Sequence, residues 1–248
     1  YILYCMIVTS LCFFATWTLA KAFLKDKSLV PEFVQGSFRG SAAVLGTAFV
    51  LNMYGDTGMV PLMIIGAVPL YNIYSVIVLT IESPRREEIE GSPVKNTIKG
   101  IVTNPIIISI VVGLLLSIFR VDFPLMIDNT IGNIAKMATP LALLAIGGSF
   151  EFSSALKKMG PAVTGSAIKL VIMAAVFLPV AVWLGYRDAK LMALVIMLGS
   201  PTTPSCYIMA KNMNNDEVLS GSIVVLATLL SSFTLTGLVF LMRYMGWI

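Results

Sequence analysis

Residues 190–211 read KLMALVIMLGSPTTPSCYIMAK. The stretch has the length and apolar character of a membrane-spanning helix, which needs about 20 residues. Its middle breaks that pattern. Gly199, Ser200, Pro201, Thr202, Thr203, Pro204 and Ser205 put two prolines and four hydroxyls where hydrocarbon is expected. A proline removes a backbone donor and obstructs the carbonyl one turn back. In lipid an unpaired backbone group costs several kcal/mol, so a broken backbone survives only in a protein-lined or wet cavity. Helices broken at the bilayer midplane are a common substrate-holding device of secondary transporters. The stretch therefore predicts a broken helix around which the other spans are arranged.

Composition agrees with a membrane setting. The 248 residues are 57% hydrophobic and 12% charged, against roughly 25% charged in soluble domains. Mean hydropathy is +0.90. The expected class is an all-α membrane protein. There is no histidine, which excludes His-based catalysis and His metal ligation within this chain. Cys5, Cys12 and Cys206 fall in apolar segments and read as small buried hydrophobes. No cofactor, metal or nucleic acid is expected. The chain opens at Tyr1 inside an apolar run without a basic flank. That is unlike a signal peptide and reads as the remainder of a longer protein.

Working outward, apolar runs predict eight spans: 2–23, 40–55, 58–81, 100–119, 125–150, 161–185, 190–211 and 217–245. The charged, Pro- and Gly-punctuated segment 82–99 reads as a cytoplasmic linker between two halves. With that loop inside, the inner face holds Lys21, Lys25, Lys27, Arg39, Arg85, Arg86, Lys95, Lys99, Lys157, Lys158 and Lys211. The outer face holds Arg120, Arg187, Lys190 and Arg243. The bias sets the orientation and puts the C-terminus outside.

The short span 40–55 carries Val44-Leu45-Gly46-Thr47, which is like Met197-Leu198-Gly199-Ser200 at an offset of 153 (199 − 46). The same offset carries 2–23 onto the region of 161–185, and 58–81 onto that of 217–245. Two inverted five-helix repeats are expected, with crossed broken helices and the first repeat truncated: eight helices of an implied ten. Residues 1–81 would hold the last three helices of the first repeat, and 100–248 the complete second repeat.

Gly46 and Thr47 would form one arm of the crossing, and Gly199 to Ser205 the other. Half-helix N-termini offer free N–H groups and partial positive charge, suited to a carboxylate. The bland alternative is that Gly and Pro are simply commoner in membrane helices. Asn104, before Pro105, is a candidate ligand or an ordinary kink residue. Asn72 reads as glue between helices. Lys136 and Lys169 are costly charges within spans. Each would attract an anion if it faced a cavity, or else snorkel to a headgroup. Asp56, Asp122, Asp128, Asp188, Asp216 and the glutamates fall in loops or at span ends. With no carboxylate at mid-membrane, sodium or proton coupling loses its usual ligand.

Several blocks resemble the auxin efflux carrier family, in its order: QGSFRGSAAVLG, PLYNIYSVIVL, NPIIISIVVGLLLS, TPLALLAIGGSF and SPTTPSCYIMAKNM. The resemblance is to the bacterial branch, which includes malate and malonate permeases. The resemblance implies ten helices in a scaffold and a transport domain, and crossed broken helices that bind an organic anion. Ser41 stands where the family often has Asn, and Thr47 where it often has Pro. The expected function is a carrier of malate, malonate or auxin-like weak acids by an alternating-access, elevator-like movement in a bacterial inner membrane. Related scaffolds often dimerise, so a homodimer is an expected assembly. A non-transporting membrane sensor or partner subunit is the alternative. An enzyme is disfavoured, since neither a metal cluster nor a nucleophile–base pair is visible.

Overall fold

A computed structural model describes residues 1–84, 98, 102–103 and 105–248. The linker expected at 82–99 therefore lies mostly outside the described residues, as does Asn104. The described chain is all-helical. Its elements are α1 (Ile2–Phe23), α2 (Val30–Phe38), α3 (Ala42–Tyr54), α4 (Val60–Ile81), α5 (Pro105–Ile118) and α6 (Leu125–Gly148). There follow α7 (Phe152–Lys157), α8 (Met159–Trp183), α9 (Asp188–Gly199), α10 (Ser205–Asn212) and α11 (Glu217–Tyr244). Five of these, α1, α4, α6, α8 and α11, are long and apolar enough to cross a membrane.

The 190–211 stretch divides as its prolines require, into α9 and α10 with residues 200–204 outside any helix. The 40–55 stretch departs from expectation. It forms α3, but a further half-helix, α2, precedes it, and the break lies at Arg39, Gly40 and Ser41. Gly46 and Thr47 are inside α3, so the first arm of the break is not there. The Thr47 hydroxyl folds back onto Ala43 O at 2.8 Å, the usual way for a helical threonine to satisfy itself.

Every residue of α2 is buried, and so is every residue of α9 from Leu191 to Gly199. A helix buried on all sides belongs at the centre of a bundle. Around this pair pack α1, α4, α8 and α11. Phe13 of α1 stacks on Tyr74 of α4 at 4.4 Å and meets Phe38 of α2 edge-on at 5.2 Å. Asp216 caps α11 by accepting from Leu219 N at 2.9 Å and pairs with Lys158. Glu32 of α2 accepts from Asp216 N at 2.8 Å. Glu32 is fully buried, a correction to the expectation that every glutamate lies in a loop or at a span end.

α5 and α6 lie at the periphery, reaching the rest chiefly through α4 and α10. Their outward faces carry exposed Leu114, Leu115, Ile134, Leu141 and Leu144, an apolar exterior suited to lipid.

Where α1 meets α4 the spacing is set by Gly66. A Cβ there would come 2.8 Å from Cys5 Cβ and 2.9 Å from the backbone oxygen of Ile2. Backbone cannot swing aside, so Gly66→Ala is expected to destabilise by about 1–3 kcal/mol. A lowered melting temperature of the purified protein checks this. An unchanged one would contradict the close approach.

Candidate functional site

The two breaks meet. Ser41 N donates to Pro201 O at 2.8 Å, and Thr202 Oγ1 donates to Gly36 O at 2.7 Å. Each break thus supplies a donor for a carbonyl of the other arm, which an interrupted backbone in a bilayer needs. The second break owes its form to Pro201 and Pro204. Each denies an amide to the chain and biases the preceding residue towards extended backbone; Ser200 has φ −70° and ψ 151°. The first break has no proline. It rests on Gly40, where a Cβ would come 2.7 Å from Ser200 Oγ and 2.8 Å from Lys169 Nζ. Only a residue without a side chain lets the two arms approach so closely.

Two cations sit at this meeting point. Arg39, only 4% exposed, leaves the C-terminal end of α2. Its Nη2 donates to Asn72 Oδ1 and Ser205 Oγ, both at 2.8 Å. Its Nη1 reaches Met209 Sδ at 2.9 Å and Ser75 Oγ at 3.3 Å. Asn72 in turn donates to Val68 O of its own helix, so the predicted cross-helix role of Asn72 is met through Arg39. Lys169 donates from Nζ to Met197 O and Leu198 O of α9. Among the described residues, no carboxylate lies within 4.0 Å of either cation.

The half-helix N-termini begin beside this meeting point, the α3 cap residue Ser41 bonding to Pro201 of the second break. Ser41 caps α3 and Pro204 caps α10, neither with a side-chain hydrogen bond to the helix. Thr203 Oγ1 and Ser205 Oγ lie 3.1 Å apart. Ser200, Pro201 and Thr202 are buried, whereas Ser41, Thr203, Pro204 and Ser205 are half-buried and form an edge from which the meeting point can be reached. Gln35, fully buried in α2, has both side-chain polar atoms unpartnered, and so has the Ser200 hydroxyl.

The expected residues are thus partly assembled. Ser41 and Gly199 to Ser205 come together. Gly46 packs against α4 and α9, with Met63, Val60 and Ile196 nearest, one and a half turns from the break. Lys136 is exposed on α6 and forms no part of the cluster. The charge pattern of the sequence assigns Arg39 to the inner surface. It was concealed because a basic residue beside a short span looks like a loop charge. The available signal was length: a span of 40–55 is too short for a bilayer, and the missing turns lay upstream in VPEFVQGSF. A separate cavity of about 680 Å³ lies between the ends of α1, α2 and α8, lined by Phe23, Leu24, Phe33, Lys157 and Ile168 among others. It shares no residue with the breaks.

The family described as "Membrane transport protein" matches residues 1–239. The chain is a member of that family, the auxin efflux carriers. One relative is described as "Putative malonate transporter", from Rhizobium meliloti (strain 1021). It is 23% identical over 232 residues, covering 89% of this chain and 70% of the relative. The family assignment gives the apolar helices a membrane and the chain a part in transport.

Proposed function

We propose that this family member is a secondary carrier of small organic carboxylates, holding its anion where the two broken helices cross. One observation carries the reading: the Arg39 guanidinium, one residue before the first break's glycine, is buried against Ser205 at the N-terminus of α10 with only neutral partners. Burying an unpaired charge is costly, and a carboxylate would be its first anionic partner, in the fork geometry a guanidinium favours. The first-turn N–H groups of α3 and α10, with Ser41, Thr203 and Ser205, would supply the remaining donors. Malonate, malate and auxin-like weak acids are the substrates to try first.

The helix bounds support an inverted-repeat origin better than the 153-residue offset does. Aligning Gly40 with Ser200 gives an offset of 160 (200 − 40), and the end of α1 at Phe23 falls on the end of α8 at Trp183 (183 − 23 = 160). In this reading the chain contributes eight spans of ten, split at 82–99. Asn104 and Lys136 stay as proposed contributors only if α5 and α6 close on the crossing during transport. Among the described residues those two helices are thinly attached, which supports a two-group, elevator-like movement. With Arg39 removed from the inner tally, the charge bias is ten against four. It supports an inner-membrane protein with its C-terminus outside. A homodimer is part of the same proposal.

Purified protein in liposomes should show saturable uptake of at least one labelled carboxylate. No saturable flux for any of the three would sink the carrier reading. In the same assay, Pro201→Ala combined with Pro204→Ala should abolish flux while the protein still inserts, because α9 and α10 could then join into one helix. Unchanged flux would refute the role of the break.

A further inference from the structure

Lys169 is a second charge set deep in the bundle, 1% exposed, within a π-helical turn of α8 at Ile168–Ile172. Such turns recur at functional positions. Its Nζ donates to Met197 O at 2.9 Å and Leu198 O at 3.0 Å. In an unbroken helix those carbonyls would accept from residues 201 and 202. Residue 201 is a proline without an amide hydrogen, and Thr202 has left the helix. The two oxygens therefore lack their helical donors, at a helix end that carries partial negative charge; apart from Lys169, Met197 O takes only a long contact from the Tyr71 hydroxyl, at 3.5 Å. Beside them is the buried, unpartnered Ser200 hydroxyl. Hydroxyl and ammonium approach the same point, since a Cβ on Gly40 would meet one at 2.7 Å and the other at 2.8 Å.

Two carbonyl oxygens and a hydroxyl oxygen at the C-terminal end of a half-helix are a ligand set for a hard monovalent cation, and broken-helix transporters hold coupling sodium at such ends. Here that place is filled from within. We infer that the Lys169 ammonium is a tethered replacement for the coupling cation at the break, so that the carrier moves its anion without sodium. The ammonium cannot leave with the substrate, and it neutralises the half-helix end in every state of the cycle. The sodium independence rests on the carrier reading above. The occupancy of a cation position by Lys169 does not.

The test compares wild type with Lys169→Ala, in sodium chloride and in choline chloride, by liposome uptake and by melting of the purified protein. Wild-type flux and melting temperature are expected to be the same in both salts. Lys169→Ala in choline should lose flux roughly a hundredfold, from two charge-assisted hydrogen bonds removed. In sodium it should recover part of that flux and melt at a higher temperature. A sodium requirement in wild type, or a purified Lys169→Ala that gains neither flux nor stability from sodium, overturns the inference. Should Lys169→Ala not purify, wild type decides alone: a sodium-dependent flux or melting temperature overturns it, and indifference to sodium supports it. Melting needs no transported substrate. A sodium-responsive Lys169→Ala alongside a wild type that moves no carboxylate would refute the carrier and uphold the cation replacement.

Discussion

Arg39→Gln is expected to cut carboxylate uptake by roughly a hundredfold, the loss of about 3 kcal/mol of charge-assisted hydrogen bonding to the anion. The reason lies in what surrounds the guanidinium. Asn72, Ser75, Ser205 and Met209 hold it through neutral atoms, so they orient the charge without cancelling it. Glutamine can keep a bond to Asn72 or Ser205 but brings no charge. Arg39→Lys should fall between the two, retaining the cation and losing the planar fork. Melting of each purified variant separates this from simple misfolding. The expected result is a large loss of flux in Arg39→Gln with the protein still folded, and flux partly kept in Arg39→Lys. Wild-type flux in Arg39→Gln would remove Arg39 from the site.

Gly40→Val is the second large effect. Even the first side-chain carbon would lie within 2.9 Å of Lys169 Cε, closer still to Lys169 Nζ and Ser200 Oγ. Neither neighbour has space to retreat: Ser200 is 0% exposed and Lys169 1%. Lys169 is also tied to two carbonyls. The arms must therefore separate, which strains the Ser41–Pro201 and Thr202–Gly36 hydrogen bonds. Overpacking of this kind costs about 1–3 kcal/mol, and flux should be lost with it. Gly40→Ala should be milder, and Ser200→Ala should relieve part of its cost, a coupling that a double-mutant cycle reads directly. Full activity in Gly40→Val would show that the arms need not touch.

Much of the fold is legible in the sequence because lipid makes simple demands. α1, α4, α8 and α11 are long apolar runs, and their ends fall within a few residues of the runs' limits. The split of α9 from α10 is written in Pro201 and Pro204. α2 is not legible by the same rule. Glu32 and Gln35 interrupt its apolar character, yet it is wholly buried, because Asp216 N meets Glu32 and the neighbouring helices enclose the rest. The likeness of Leu45-Gly46-Thr47 to Leu198-Gly199-Ser200 pairs the second turn of α3 with the last turn of α9, so it misplaced the first break. The break itself is made by Gly40, whose signature is only the absence of a side chain. Lys169 was visible as a costly charge, but its partners are backbone carbonyls, and these leave no trace in side-chain sequence.

The central claim is that an organic anion binds at the crossing, on Arg39. Equilibrium binding of a labelled dicarboxylate to purified protein tests it without the complications of flux. Wild type should bind saturably, and the ligand should raise its melting temperature, since a ligand that binds only the folded state stabilises it by mass action. Arg39→Gln, folded, should do neither. Equal saturable binding by Arg39→Gln and wild type would contradict the account.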